Sequence, residues 1–197
     1  MTLDVSEKQA VRFERGFKTW SENTAVSVRD RLGLRNVDPI SPVNLANYLG
    51  VHLWTLSDVP GLPAASLAHL SSSEGDEWSA VTVRISQVDV IVVNSTHTAA
   101  RQASDLAHEL AHLIRQHKPA QVFIVEQTSI GIRTFDPLQE AEANWLAGCL
   151  LLPRIALAHY ASRGMSRVDL GEHYGVSDEL VRYRLNVTGI GKQFGIA

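Results

Sequence analysis

The stretch His108-Glu109-Leu110-Ala111-His112 carries the most specific chemical signal in the sequence. Two histidines four residues apart stack on one face of a helix, about one turn or ~6 Å apart, where two neutral imidazoles can hold one divalent ion. Glu109 lies about a third of a turn from His108, so its carboxylate would stand beside the ion. The stretch predicts a hydrolytic metal site with His108 and His112 as ligands and Glu109 as the general base.

The residues around this motif favour a helix. Asn94, Ser95 and Thr96 suit a helix cap, and the apolar residues Leu106, Leu110 and Leu113 recur at helical spacing on a different face from the histidines. The alternative is a surface helix that carries two histidines by chance.

A catalytic zinc site also needs a third protein ligand. In the histidine-based extension of this motif, a glycine and a third histidine follow three and six residues after the second histidine, where this chain has Arg115 and Lys118. His117 is one residue out of register, and we interpret it as an exposed polar residue at a helix end.

Glu140 is the better candidate for the third ligand. It lies in the first turn of a helix that is predicted to open at Asp136-Pro137 and to end before Pro153. Asn144 follows one turn later on the same face, where its amide would orient a ligand as an outer partner. Glu142 points the opposite way and is expected to be exposed, although the reversed assignment, with Glu142 as the ligand, stays open.

Composition restricts the class of protein. The 197 residues are 45% hydrophobic, carry a formal net charge of −3 and include one cysteine, Cys149, which we expect to be a small buried hydrophobe. Residues 1–8 lack the basic start and apolar run of an export signal, and the chain has no uninterrupted apolar run long enough to span a membrane. These features predict a cytoplasmic protein with no membrane partner and no general attraction to nucleic acid.

The remaining pattern predicts an α+β fold. A small, mostly antiparallel sheet is packed by the active-site helix and the third-ligand helix, with helical segments at both ends. Expected elements are a short helix after Ser41-Pro42, strands over 51–56, 78–85 and 88–93, a hairpin turn at Ser86-Gln87, and a possible strand over 122–125.

The chain divides into an N-terminal helical lead (1–35), a core (36–153) and a C-terminal segment (154–197) of one or two helices up to Asn186. A glycine-rich tail after Asn186 is expected to be loosely held. One integrated domain is preferred.

The second predicted helix resembles a known family. Residues 140–153 read Glu-Ala-Glu-Ala-Asn-Trp-Leu-Ala-Gly-Cys-Leu-Leu-Leu-Pro, close to the pattern of ImmA/IrrE-type metallopeptidases, in which Glu-x-x-Ala-Asn precedes small and apolar residues ending in Leu-Leu-Met-Pro. Leu146, Gly148 and Leu152 depart from that pattern, and all three are packing changes that leave the proposed ligands intact.

The resemblance implies a zincin-like metallopeptidase domain that cleaves a partner protein, often a helix-turn-helix repressor of a mobile element or a stress response. We expect His108, His112 and Glu140 to bind Zn²⁺, with Mn²⁺ or Fe²⁺ as possible replacements. Candidates for stabilising the oxyanion are Arg154, His159 and Tyr160.

Two alternatives stay open. Residues 168–185 are typical of two helices about a turn at Gly175, as in a DNA-binding regulator, but Asp178 and Glu179 open the second helix and would meet phosphate repulsion. Nucleic acid is therefore not the expected partner. The other alternative is a metal-site sensor with little intrinsic peptidase activity.

Overall fold

The computed structural model describes residues 12–72, 78–85, 88–118, 122–124, 131–133 and 136–196. In chain order the elements are α1 (Phe17–Arg31), α2 (Pro42–Tyr48), β1 (His52–Thr55), a 3-10 turn (Leu56–Asp58), α3 (Ala64–Leu70), β2 (Ala80–Ile85), β3 (Val88–Val93), α4 (Ala99–Arg115), β4 (Val122–Ile124), β5 (Gly131–Arg133), α5 (Pro137–Leu151), α6 (Arg154–Ala161), α7 (Arg167–Tyr174), α8 (Asp178–Thr188) and α9 (Ile190–Phe194). The predicted α+β class is confirmed.

The main sheet has the order β1-β3-β2, with β3 parallel to β1 and antiparallel to β2. Val90, Ile91 and Val92 of β3 are buried, as their continuous apolar run predicts for a central strand. Ile85 pairs with Val88, which confirms the predicted pairing of these two strands, while the turn residues 86–87 lie outside the described residues. The strand expected near residue 122 is present as β4 and pairs with β5.

Helix α4 lies between the sheet and α5, and α5 packs in turn against α1. Ala107 and Ala111 of α4 and Ala143 of α5 are fully or almost fully buried in the core. The contact between the two helices matters for the site because each helix carries candidate ligands.

The start of α5 agrees with its sequence. The Asp136 side chain accepts hydrogen bonds from the backbone amides of Leu138 and Gln139, and Pro137 occupies the first helical position. The start of α4 was predicted too early, because its cap is Thr98 rather than a residue of 94–96. The Asn94 side chain instead accepts hydrogen bonds from the backbone amide and the hydroxyl of Thr96, and it donates one to the Trp78 carbonyl. It therefore links the segment between β3 and α4 to the residues just before β2.

The C-terminal segment is more structured than predicted. Three helices, α6, α7 and α8, precede or include Asn186 where one or two were expected. The tail is not loosely held either: Ile190 and Gly191 of α9 are buried. The reason is packing, since Ile190 belongs to the core and a Cβ at position 191 would lie only 3.0 Å from the Ile196 carbonyl oxygen.

One contiguous apolar cluster runs from Phe17 in α1 to Ile190 in α9. Cys149 is part of this cluster, and its burial raises the pKa of the thiol to about 12, as expected for a structural cysteine. Among the described residues, no helix is both long and apolar enough to cross a membrane. The division of the chain into an N-terminal lead, a core and a C-terminal segment, with boundaries at residues 35 and 153, stays a prediction.

Arg29 is a fully buried cation that ties α1 to the end of α5. Its guanidinium donates to the carbonyl oxygens of Ala25, Asp38 and Leu150 at 3.1, 2.9 and 2.8 Å. We expect Arg29→Met to lower the free energy of unfolding by about 2–4 kcal/mol, because the carbonyl oxygens of Leu150 and Asp38 lose their guanidinium donor. Urea denaturation measures this. Arg35→Met, at an exposed position, is the control and should change little; equal losses in the two variants would contradict the prediction.

Asp136 makes the stability of α5 dependent on pH. The pKa of its carboxyl is lowered, first by the hydrogen bond from the Gln139 side chain and then by backbone amide donors. A lowered folded-state pKa stabilises the protein above the ordinary aspartate value and loses this effect as the pH falls through the lowered value. Asp136→Ala should therefore be less stable than wild type at pH 7, and the gap should shrink below about pH 4.

Urea midpoints across this pH range test the expectation for Asp136. Asp136→Asn is the matched variant, because it keeps a capping oxygen but cannot titrate. A gap between wild type and Asp136→Ala that is the same at pH 3 and pH 7 would show that the carboxylate charge has no role in the cap.

Candidate metal centre

The two histidines of α4 face each other one helical turn apart. Their ring centroids are 4.8 Å apart, and the Nε2 atoms of His108 and His112 are separated by 3.0 Å. Both side chains are partly exposed, at 21% and 18%. The helix therefore presents two imidazole nitrogens at one point of its surface that solvent can reach.

Glu140, in the first turn of α5, completes this group. Its Oε2 lies 3.2 Å from His108 Nε2 and its Oε1 lies 3.7 Å from His112 Nε2. One ligand atom from each of these three residues falls within 4.8 Å of the others. Ligands of a tetrahedral zinc ion bound at about 2.0–2.1 Å are ~3.3 Å from one another, close to the three separations here.

The outer nitrogen of His108 meets Asn144. His108 Nδ1 lies 3.0 Å from Asn144 Oδ1, and a carbonyl oxygen only accepts hydrogen bonds. His108 Nδ1 must therefore carry the proton. In the neutral ring this leaves the lone pair on Nε2, which points at the cluster.

The Nδ1 atom of His112, which faces away from Glu140, begins a series of hydrogen bonds through three further side chains. His112 Nδ1 lies 2.9 Å from His117 Nδ1, and His117 Nε2 lies 3.2 Å from Glu142 Oε2. The same carboxylate oxygen accepts from Arg115 Nε at 2.9 Å. Because the carboxylate accepts from His117 Nε2, His117 Nδ1 is left to accept from His112 Nδ1, and the His112 lone pair is on Nε2.

With the rings in these tautomers, the centre is suited to a cation. Two nitrogen lone pairs and the Glu140 carboxylate converge, with the ring protons directed away to Asn144 and His117. Three such donors repel one another unless a positive charge lies between them. The residues present therefore fit a divalent metal ion.

Glu109 lies beside the same centre. It is 6% exposed, its Oε2 accepts a 2.5 Å hydrogen bond from Thr82 Oγ1 of β2, and it lines one cavity together with His108 and Glu140. The hydroxyl of Thr82 thus holds the carboxylate in a fixed orientation. Sequence reasoning missed Thr82, because only the packing of β2 on α4 brings the two residues together.

A sequence comparison identifies the family. Residues 68–186, more than half of the chain, match the family model of the M78 peptidases, described as the IrrE N-terminal-like domain. The chain belongs to this family. The matched region of the M78 protein includes α4 and α5, and so every residue of the candidate centre.

A structural comparison adds one solved protein. A Mycobacterium tuberculosis transcriptional regulator aligns with a TM-score of 0.47 and 17% identity, over 88% of this chain and 47% of that chain. The M78 protein thus spans less than half the length of that regulator. No curated protein is significantly similar to the chain in sequence.

Two expectations about neighbouring polar residues were wrong. Glu142 was expected to be exposed but is 5% exposed; it accepts hydrogen bonds from Arg115, whose positive charge compensates its own, and from His117. His117 was expected to be an exposed helix-end residue, yet its side chain is 6% exposed and contacts His112. His117 is buried because the backbone of Gln116 is left-handed, at φ 58°, and reverses the chain at the end of α4. In this conformation the His117 amide donates a hydrogen bond to the His112 carbonyl.

The three oxyanion candidates lie on α6. The Arg154 backbone amide bonds Glu22, and the rings of His159 and Tyr160 contact each other. None of the three is among the described residues that line the cavity at the metal centre. The structure does not bring them to the site.

The outer partners of the histidines should control metal affinity. Removing a group that orients a ligand histidine typically lowers affinity 10–100-fold. We expect His117→Ala and Asn144→Ala each to weaken Zn²⁺ binding by about 10–100-fold, measured by competition with a chromophoric chelator. His159→Ala removes an imidazole elsewhere and should leave the affinity unchanged. Unaltered affinity in both test variants would contradict the assigned orientation of the rings.

Proposed function

We propose that this M78 protein is a zinc-dependent endopeptidase that hydrolyses a peptide bond in a partner protein. The observation that carries the proposal is the placement of the Glu109 carboxylate, fixed by Thr82, in one cavity with His108 and Glu140, two of the three converging metal donors. A base beside a Lewis-acid site is the combination that metal-dependent hydrolysis requires.

His108, His112 and Glu140 would hold the ion. Two imidazoles and one carboxylate suit zinc, while Mn²⁺ and Fe²⁺ accept the same donors. When bound, the ion supplies Lewis-acid chemistry, by which it polarises a carbonyl oxygen and makes water acidic enough to lose a proton near neutral pH. Asn144 and His117 keep the two rings turned so that their Nε2 atoms face this position.

Glu109 would move the proton. Its carboxylate accepts the proton from the attacking water and returns it to the nitrogen of the leaving amine, so one group acts as base and then as acid. The hydrogen bond from Thr82 Oγ1 holds the carboxylate in one orientation throughout. Such pre-positioning removes the cost of arranging the base at the moment of reaction.

A free strand edge supports a peptide substrate. β2 pairs with β3 on one side, and none of the described strands pairs with its other side. An extended chain can align there through main-chain hydrogen bonds. Thr82 on this strand contacts Glu109, so a chain bound along β2 would pass the candidate centre.

The partner that we propose is a helix-turn-helix repressor of a mobile element or a stress response. This choice rests on the family resemblance, and it places the reaction in the cytoplasm. A nucleic-acid role for α7 and α8 has weaker support, because Asp178 and Glu179 lie in the first turn of α8 and Arg184 is buried against Leu152 and Glu22.

Replacing the base should separate hydrolysis from metal binding. We expect Glu109→Gln to lower cleavage of a co-encoded helix-turn-helix repressor by at least about 100-fold, because the amide cannot accept the proton. Zinc content should stay near that of wild type. Cleavage is followed by gel electrophoresis and mass spectrometry, and zinc by elemental analysis.

Glu179→Gln, on the exposed start of α8, is the matched control for Glu109→Gln and should cleave like wild type. Equal cleavage by Glu109→Gln and wild type would remove Glu109 from the mechanism. A repressor that stays intact with zinc, manganese or iron would instead favour the metal-sensor alternative.

A further inference from the structure

A cavity of about 920 Å³ begins at the metal centre and continues across the sheet to α3. We call its apolar part the apolar chamber, which is lined by residues of β1, α3, the approach to β2, and β2 itself, including Trp54, Leu70, Trp78, Val81, Val83 and Ile85. The volume lies within the range of sites that enclose a ligand of several residues or a small molecule.

Charge is confined to one end of the cavity. Asp105, Glu109 and Glu140 are its acidic residues, they lie on α4 and α5, and its described lining includes no lysine or arginine. A free carboxylate of a substrate would find no lysine or arginine side chain to pair with in the described lining. The cavity therefore suits an internal segment of a chain rather than a carboxyl terminus.

The strand register shows how the two ends of the cavity are related. Trp54 pairs with Val92, and Val92 pairs with Val81, so their side chains lie on one face of the sheet. Thr82, the next residue along β2, points to the opposite face and contacts Glu109. The cavity thus reaches both faces of the sheet at the free edge of β2.

An extended peptide beside β2 would use both faces. Its successive side chains alternate in direction, so a backbone that presents a carbonyl to the metal centre places a nearby side chain in the apolar chamber. Val83 and Ile85 remain 37% and 43% exposed. Covering these side chains with an apolar group is favourable, whereas covering them with a charged group has a desolvation cost.

We propose that the apolar chamber binds an aromatic or long aliphatic side chain of an extended protein segment, within two residues of the bond that is cleaved. The reference to a cleaved bond rests on the proposed peptidase function. The binding preference itself depends only on the chamber, and the experiment separates the two.

The first arm measures binding without turnover. Zinc-loaded Glu109→Gln is titrated with two blocked peptides, acetyl-Ala-Ala-Phe-Ala-Ala-amide and its counterpart with Asp in place of Phe, and binding is followed by NMR line broadening of the peptide. We expect the Phe peptide to bind at least about tenfold more tightly, from burial of its ring.

Val83 supplies matched variants for the binding arm. Val83→Asp in the Glu109→Gln background should abolish the preference for Phe, and the nearly isosteric Val83→Thr should reduce it without endangering the fold. Val43→Asp introduces the same charge at a 49% exposed position of α2 outside the cavity lining and should leave the preference intact. Equal affinity for the two peptides, or a preference unaffected by both changes at Val83, would overturn the proposal.

The second arm maps cleavage. Wild type and Val83→Asp are incubated with an unfolded, reduced and alkylated protein mixture, and the cut sites are read by mass spectrometry. We expect Phe, Tyr, Trp, Leu and Met to be enriched within two residues of wild-type sites, and this enrichment to be lost in Val83→Asp. Cleavage with no such enrichment would contradict the proposed binding preference of the apolar chamber and would still support the peptidase function. If the Phe peptide binds in a way that depends on Val83 but wild type cleaves no protein, the binding preference of the apolar chamber is supported and the peptidase function is contradicted.

Discussion

The close approach of α4 and α5 is the constraint on which the site depends. His108 and His112 lie on one helix and Glu140 on the other, so their donor atoms meet only if the two backbones pack tightly. Ala107 and Ala111 of α4 and Ala143 of α5, each 2% exposed or less, are core residues with small side chains. A larger side chain at any of these buried positions would overpack the core in which the two helices lie.

Buried charge near the site is compensated by partners from several elements. Glu142 is bonded to Arg115 and His117, and the Arg115 guanidinium also lies 5.7 and 5.3 Å from the ring centroids of Phe17 and Trp20 in α1. The N-terminal helix therefore covers the polar chain behind His112. Arg29 plays a similar part at the other end of α5, where it binds the Leu150 carbonyl. Such fully satisfied networks hold the surrounding helices in one arrangement.

Polar and apolar functions are divided along one cavity. Its acidic end carries the donors and the base, where a cation and a moving proton are stabilised, and its apolar end offers tryptophan and β-branched side chains. β2 contributes to both ends, because successive residues of a strand, such as Thr82 and Val83, point to opposite faces of the sheet. The same strand can therefore orient the base and select the side chain of a bound segment.

Local features could be predicted from the amino-acid sequence: the spacing of His108 and His112 on one helical face, the cap at Asp136, the central strand β3 and the pairing of β2 with β3. Each depends on the period of a helix or strand, or on contacts within a few residues. The packed fold was needed to show which of Glu140 and Glu142 lies beside the imidazoles, that His117 turns back onto His112, and that Thr82 holds Glu109. Those contacts join residues whose relative positions follow from helix packing and from the left-handed turn at Gln116, and no local pattern in the chain specifies either.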